Sequence, residues 1–443
     1  MVEQVSRTLM RTTDIFITAQ FSPLAVAAIG LADLYARLPL RIGLGLGAGA
    51  IALSSQDTGS DATANRDEAI TQALLLGFLT GIPFVLFGLL FGEQAIAVLG
   101  IWADKSEVAD VAQLGGTYLA LIFATAPARH VALIGARALQ GTGDTRTPMY
   151  VNLLSNGFNI VFSLILGLGL LGAPRLEIVG VGVATALGNV FTATAFVFAI
   201  ATDWAEANFV YPRQLVVAKQ LLVVSAPKVV EGMVATIIEF PFNALLFSFG
   251  ADVNGAYQIG RRVYQQVTSP LGRGLNTGAS IVVGQGLGDG DPEQARYDGW
   301  ATAALGLVTV GSIGVLLAVF AEPLAGLFTD DPDTLPVAAG FAFTYGVTAP
   351  ATVMYVTLSG ALQGGSDTTT PFIARTIGLL VFYLGFSYLT SVVLGWGVFG
   401  IYVGIFLYYL SALCVVIVGF QYGDWATRAT DMMEKRGSVS TDG

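Results

Sequence analysis

Twelve apolar runs, each long enough to cross roughly 30 Å of hydrocarbon with about 20 residues, leave this chain little choice of solvent. They fall near 4–21, 24–54, 68–92, 108–139, 148–171 and 178–202, then near 218–249, 254–286, 296–321, 335–364, 371–394 and 398–421. Inside a bilayer the backbone must satisfy its own hydrogen bonds, and for spans of this length that means helices. Of 443 residues only 12% are charged, where a soluble domain has roughly a quarter; the mean hydropathy of +0.69 agrees. The expectation is an all-α integral membrane protein. An N-terminal six-helix lobe covers 1–205, a polar cytoplasmic linker 206–217 and a C-terminal six-helix lobe 218–422. Residues 423–443 read as a charged, mobile cytoplasmic tail.

Charge and rare residues close off several function classes. A net charge of −10 and an isoelectric point near 4.6 argue against nucleic acid, whose phosphates recruit Lys and Arg. One cysteine, Cys414, rules out an internal disulfide. One histidine, His130, cannot build a metal centre alone. Neither a cofactor nor a catalytic constellation is expected, so the chain reads as no enzyme. Residues 1–14 carry Glu3, Arg7, Arg11 and Asp14 in place of the apolar core of a cleavable signal. The odd-numbered connections hold only Lys105 and Arg175, whereas the even-numbered ones and the termini hold Arg66, Arg146, Arg213, Arg296 and Arg428. The positive-inside rule then puts both termini in the cytoplasm of a multi-pass cell-membrane protein.

The two halves repeat each other. ALQGTGDTRTP at 138–148 returns as ALQGGSDTTTP at 361–371, and GLGAGAIALSSQDTG at 45–59 as GLNTGASIVVGQGLG at 274–288. Each half carries one signature at the end of its second span and the other after its fourth. Six spans is an even number, so the halves enter from one side and form a parallel pair, an architecture found among alternating-access transporters. The repeated turn reads as a fold signature. Gly and Asp shape it, and Thr147 and Thr370 serve as N-caps before Pro148 and Pro371.

With this layout, SPLAVAAIGL (22–31), GLGLGAGAIAL (43–53), NIVF (159–162), GVGVAT (180–185) and VVGQGLGDGD (282–291) resemble the MATE family of multidrug and toxic compound extrusion antiporters, over about residues 12–422. The resemblance implies twelve helices in two pseudo-symmetric lobes that form a V-shaped cavity opening alternately to each side. It also implies monomeric export of small amphiphilic, mostly cationic substrates in exchange for protons or sodium ions. Asp14 stands where archaeal-type members of this family have a first-helix carboxylate central to proton coupling. Asn159 and Thr185 match polar positions of that pocket, whereas Ser163 replaces a second aspartate and Ala136 an asparagine.

The residues can also be read on their own. A carboxylate such as Asp14 inside a span costs a few kcal/mol, so it has a partner or a task; Arg11, one turn before it, could be that partner. Glu231 and Glu239 lie in the seventh span, with Pro241 just after the second, where a kink would free a carbonyl for a cation. Glu239 is a cation-coupling candidate with an arginine pair as its rival, and Glu231 is a substrate-cavity candidate. Arg129 and Ser163 are further cavity candidates. Arg37, Arg41, Arg129, Arg261 and Arg262 are charges inside spans; pairing or snorkelling accounts for most, but an arginine-lined cavity would suit an anion. That keeps a lipid-linked oligosaccharide flippase of the same superfamily open as the alternative. GLGLGAG at 43–49 lies within a span with no strand before it, so it reads as close helix packing and not as a dinucleotide loop.

Overall fold

The structure is a computed structural model, and it describes residues 2–18, 20–99, 105–202 and 204–438. Among these the chain is helical throughout, with no strand. The first half runs α1 (Val2–Thr18), α2 (Pro23–Gly59), α3 (Thr63–Leu99), α4 (Lys105–Ala124), α5 (Ala126–Gly141), α6 (Arg146–Leu168) and α7 (Glu177–Ala201). The second runs α8 (Leu215–Phe247), α9 (Ala251–Gly288), α10 (Pro292–Gly306), α11 (Ser312–Val319), α12 (Ala321–Ala325), α13 (Thr334–Gly364), α14 (Thr369–Ile377), α15 (Val398–Tyr422) and α16 (Trp425–Lys435).

Twelve spans follow from these. Nine segments among the described residues are long and apolar enough to cross a membrane alone, and α4 with α5, bent by 48°, form a tenth. The 17-residue α1 and the polar α9 complete the set. α9 carries Asp252, Arg261, Arg262 and Arg273 and packs along α13. Helices α2 and α3, at 37 residues each, reach about 55 Å and overshoot the hydrocarbon core.

The chain divides into two compact units, residues 1–54 with 66–222 and residues 55–65 with 223–443. In the first, α1 lies along α6 and touches α7, and Ile17, Phe21, Ala28, Ile96, Tyr118 and Phe123 share one buried cluster. The glycines of GLGLGAG bring α2 close to α5. A Cβ on Gly43 would meet Leu133 at 2.9 Å, and one on Gly47 would meet Arg137 at 3.0 Å. The connection after α7 is held down by α3: Glu68 accepts the backbone N–H of Arg213 at 2.7 Å and that of Gln214, and Gln72 donates to the Gln214 carbonyl at 3.0 Å.

In the second unit, one core gathers Phe242, Tyr257, Phe341, Tyr345 and Tyr383, another Leu358, Val416, Phe420, Trp425 and Met433. The last turn of α2 belongs here because it crosses the last turn of α9 through its own repeat. A Cβ on Gly59 would collide with the Gln285 carbonyl oxygen, and one on Gly288 with that of Gln56. Only glycine permits that approach.

Of the segment expected to be a mobile tail, residues 425–438 are packed. Trp425 is fully buried, stacks on Phe420 at 5.0 Å and donates its indole N–H to the Phe420 carbonyl at 2.7 Å. Beyond α16, Arg436 is also buried. Its Nε donates to Asp57 at 2.7 Å and its Nη2 to the Gln56 side chain at 2.9 Å. Its charge, read as a mark of solvent, serves instead as a fastening.

The repeated turns also differ from expectation in their caps. The helices begin earlier, at Arg146 and Thr369, so Thr147 and Thr370 lie in the first turn. The capping oxygens come from the aspartates. Asp144 accepts the N–H groups of Arg146 and Thr147 at 3.1 and 2.9 Å; Asp367 accepts those of Thr369 and Thr370 at 3.1 and 3.0 Å. Gly143 takes a left-handed φ of 91°, and its counterpart Ser366 takes 59°. The serine bears that strain because its Oγ accepts the Gln56 amide at 2.9 Å.

Candidate functional site

In the first unit a buried polar stripe runs along α6. Ser155, Asn159 and Ser163 are spaced by four, so they share one helix face, and all three are buried. The stripe meets α7 at Thr192 and Thr185. Ser155 and Thr192 hydrogen-bond through their hydroxyls, and the Asn159 amide donates to Thr185 at 3.4 Å. It approaches α1 at Asp14, whose carboxyl lies beside the Ser163 hydroxyl; that hydroxyl donates to the Asn159 side-chain oxygen at 3.5 Å. The structure therefore brings four of the sequence candidates together, Asp14, Asn159, Ser163 and Thr185.

One oxygen of Asp14, Oδ1, is buried with no hydrogen-bond partner among the described residues. The side chain of Arg11, the rival partner, lies outside the described residues. Asp33 of α2 is close enough for its charge to act on Asp14. Tyr118 of α4 feels both carboxylates and the guanidinium of Arg129, which puts Arg129 at the margin of the same polar region. A buried carboxylate oxygen with no donor is an acceptor awaiting a proton or a cation.

His130, on α5, ties helices together. Its Nε2 faces the Pro39 carbonyl of α2 at 2.8 Å, and its Nδ1 faces the Gly77 carbonyl and Thr80 hydroxyl of α3 at 3.1 and 3.2 Å.

The second unit places its carboxylates differently. Glu239 on α8 pairs with Arg261 on α9 at 3.2 Å, the arrangement its rival reading describes. Its carbonyl takes the Asn243 amide at 2.6 Å, and Asn243 in turn accepts from Asn254 at 3.0 Å. Glu231 is buried at 2% side-chain exposure between Lys228 and Arg375, each at 2.9 Å. Glu231 does not line the neighbouring cavity itself; its partner Arg375 does.

That arginine opens onto a cavity of about 230 Å³ within the second unit, lined by Tyr264, Arg273, Thr352, Tyr355, Arg375 and Tyr408 among others. No aspartate or glutamate lines it among the described residues. Tyr355 and Tyr408 are close enough to Arg375 for mutual electrostatic influence. The sequence reading passes over Arg273 and Arg375, although an arginine within an apolar run is a visible signal. It also passes over Ser155 and Thr192, whose register with Asn159 on α6 and Thr185 on α7 is legible only once those two helices are paired.

A bundle of twelve spans in two repeated halves, with a half-buried carboxylate beside a buried polar stripe in one and a polar cavity in the other, is the build of a membrane transporter. A family model described as MatE matches residues 1–165 and 227–389. The chain belongs to the MatE family. It is 28% identical to a probable multidrug resistance protein NorM of Rhodopseudomonas palustris, over 91% of this chain and 85% of that protein. It is 24% identical to an FAD transporter of Shewanella oneidensis, over 73% of this chain and 70% of the other. A crystal structure of a MATE protein in the bent conformation has the same fold, with a TM-score of 0.85 and 20% identity over 98% of this chain and 94% of that one.

Proposed function

We propose that this protein exports small amphiphilic organic molecules from the cytoplasm by antiport with a cation, working as a monomer in the cell membrane with both termini cytoplasmic. The relatives support export of small molecules, and their names, multidrug resistance protein and FAD transporter, leave the charge of the cargo open. The observation that carries the coupling role is the Asp14 carboxyl beside the Ser163 hydroxyl, with Oδ1 buried and without a hydrogen-bond partner among the described residues. Asn159 and Thr185 continue that hydrogen-bonded chain into α7. A cation bound there couples only if it favours one conformation over the other, and a carboxylate at the junction of α1, α6 and α7 senses how those three helices pack.

The test is substrate flux in proteoliposomes under a pH gradient and then a sodium gradient, wild type against Asp14→Asn. Wild type is expected to transport under one gradient and the variant to lose that response. Equal gradient-driven flux in both proteins would remove Asp14 from coupling and leave the Glu239–Arg261 pair as the next site to test.

A further inference from the structure

The cavity of the second unit has the wrong chemistry for a lipophilic cation. Arg273 and Arg375 both line it, and no carboxylate does so among the described residues. Glu231, the acid nearest to Arg375, accepts from Arg375 and Lys228 together and is buried behind them. Two cations therefore share one anion, and the Lys228–Glu231–Arg375 cluster keeps a net positive charge. The Arg375 Nε is buried with no hydrogen-bond partner among the described residues; native interiors rarely leave such a donor unmet. The rest of the wall is aromatic and hydroxylic. Tyr264 stacks on Tyr345 at 5.6 Å, Tyr408 lies against Tyr409 at 4.5 Å, and Thr268, Thr352 and Ser269 add neutral donors.

We propose that this cavity is a binding site for planar aromatic anions, with Arg375 and Arg273 taking the carboxylate or phosphate and the tyrosine faces taking the ring. A guanidinium fork matches a planar oxyanion, and aromatic walls match a flat apolar body. The proposal rests on the export reading for its cellular meaning and replaces the cationic cargo expected from the family resemblance with an anionic one.

The experiment is equilibrium binding to the full chain in nanodiscs of zwitterionic lipid, with protein-free discs subtracted. The probes are 1-naphthoate and its cationic counterpart 1-naphthylmethylammonium. Naphthoate is expected to bind wild type at least tenfold more tightly than the cation. Arg375→Gln and Arg273→Gln should each weaken naphthoate by about tenfold, the loss of one charge-assisted hydrogen bond. Because Arg375→Gln also takes a partner from buried Glu231, Arg273→Gln and the probe comparison in wild type decide the matter if that variant does not fold. A cation that binds as tightly as naphthoate, or naphthoate binding unchanged in Arg273→Gln, overturns the proposal. The export reading fails separately: naphthoate that binds but moves under no ion gradient keeps the cavity and removes the antiport. Gradient-driven export of an organic cation without naphthoate binding does the reverse.

Discussion

At the scale of single residues, the most constrained charge lies outside the spans. Asp57 and Arg436 are 379 positions apart and both fully buried. Ser438 adds a second hydrogen bond to the same carboxylate oxygen at 2.7 Å, and Asn65 donates to Ser438 at 3.1 Å. Removing one partner of a buried pair strands the other, at a cost of about 3–5 kcal/mol, whereas replacing both by apolar groups is often neutral. Arg436→Ala is thus expected to lower the thermal midpoint in detergent sharply, and Asp57→Leu with Arg436→Met to recover most of the loss. A midpoint unchanged in Arg436→Ala would mean that the pair adds nothing to stability. Nothing in the sequence announces this contact, because an arginine in a charged terminal stretch looks the same whether it is solvated or folded inward. Asp14 is the opposite case: an acid within an apolar run is conspicuous, and its meeting with Ser163 and Asn159 is foreseeable from the family resemblance though not from spacing.

Among elements, helix position is legible in the sequence and helix detail is not. The apolar runs locate the spans, and the two copies of the ALQG turn expose the duplication. The break between α4 and α5 at Thr125 does not show as a gap in hydropathy; it is stabilised from α7, where Asn189 donates to the Thr125 hydroxyl at 3.1 Å. The wide π turns at Gly378–Phe386 and Leu389–Val393 are likewise invisible in a uniformly apolar run. Thr-Pro is a strong local signal for a cap, yet in both copies the aspartate three residues before the proline's threonine supplies the capping oxygen. The two caps are not equivalent. Asp144 is half-buried and accepts two backbone bonds, whereas Asp367 is buried, accepts a third bond from the Thr370 hydroxyl at 2.7 Å and lies 3.7 Å from Arg428. Asp144→Ala is expected to cost about 1 kcal/mol and Asp367→Ala about twice that, measured as thermal midpoints of the two variants side by side. An Asp144 loss as large as the Asp367 loss would show that burial and the extra partners contribute little.

Across the whole molecule, duplication has been kept in the backbone and lost in the chemistry. The repeats preserve a glycine crossing and a capped turn, but the first unit holds its carboxylates at Asp14 and Asp33 while the second presents Arg273 and Arg375 to its cavity. Function therefore could not be read from the repeat, which records only what the fold needs in both copies. The proposed export of an organic anion in exchange for an entering cation would give that asymmetry an electrical consequence. Exchange of one organic anion outward for one monovalent cation inward moves two positive charges inward per turnover, whereas exchange of a monovalent organic cation moves none. A membrane potential of 100 mV, negative on the cytoplasmic side, adds ~4.6 kcal/mol to the anion exchange, twice the contribution per elementary charge. Proteoliposomes clamped with potassium and valinomycin should export naphthoate faster and to a higher gradient as the cytoplasmic face becomes more negative, at fixed pH and sodium on both sides. A naphthoate flux that ignores the potential would show that the charges cancel, so that an anion leaves with its own cation and the coupling runs as symport.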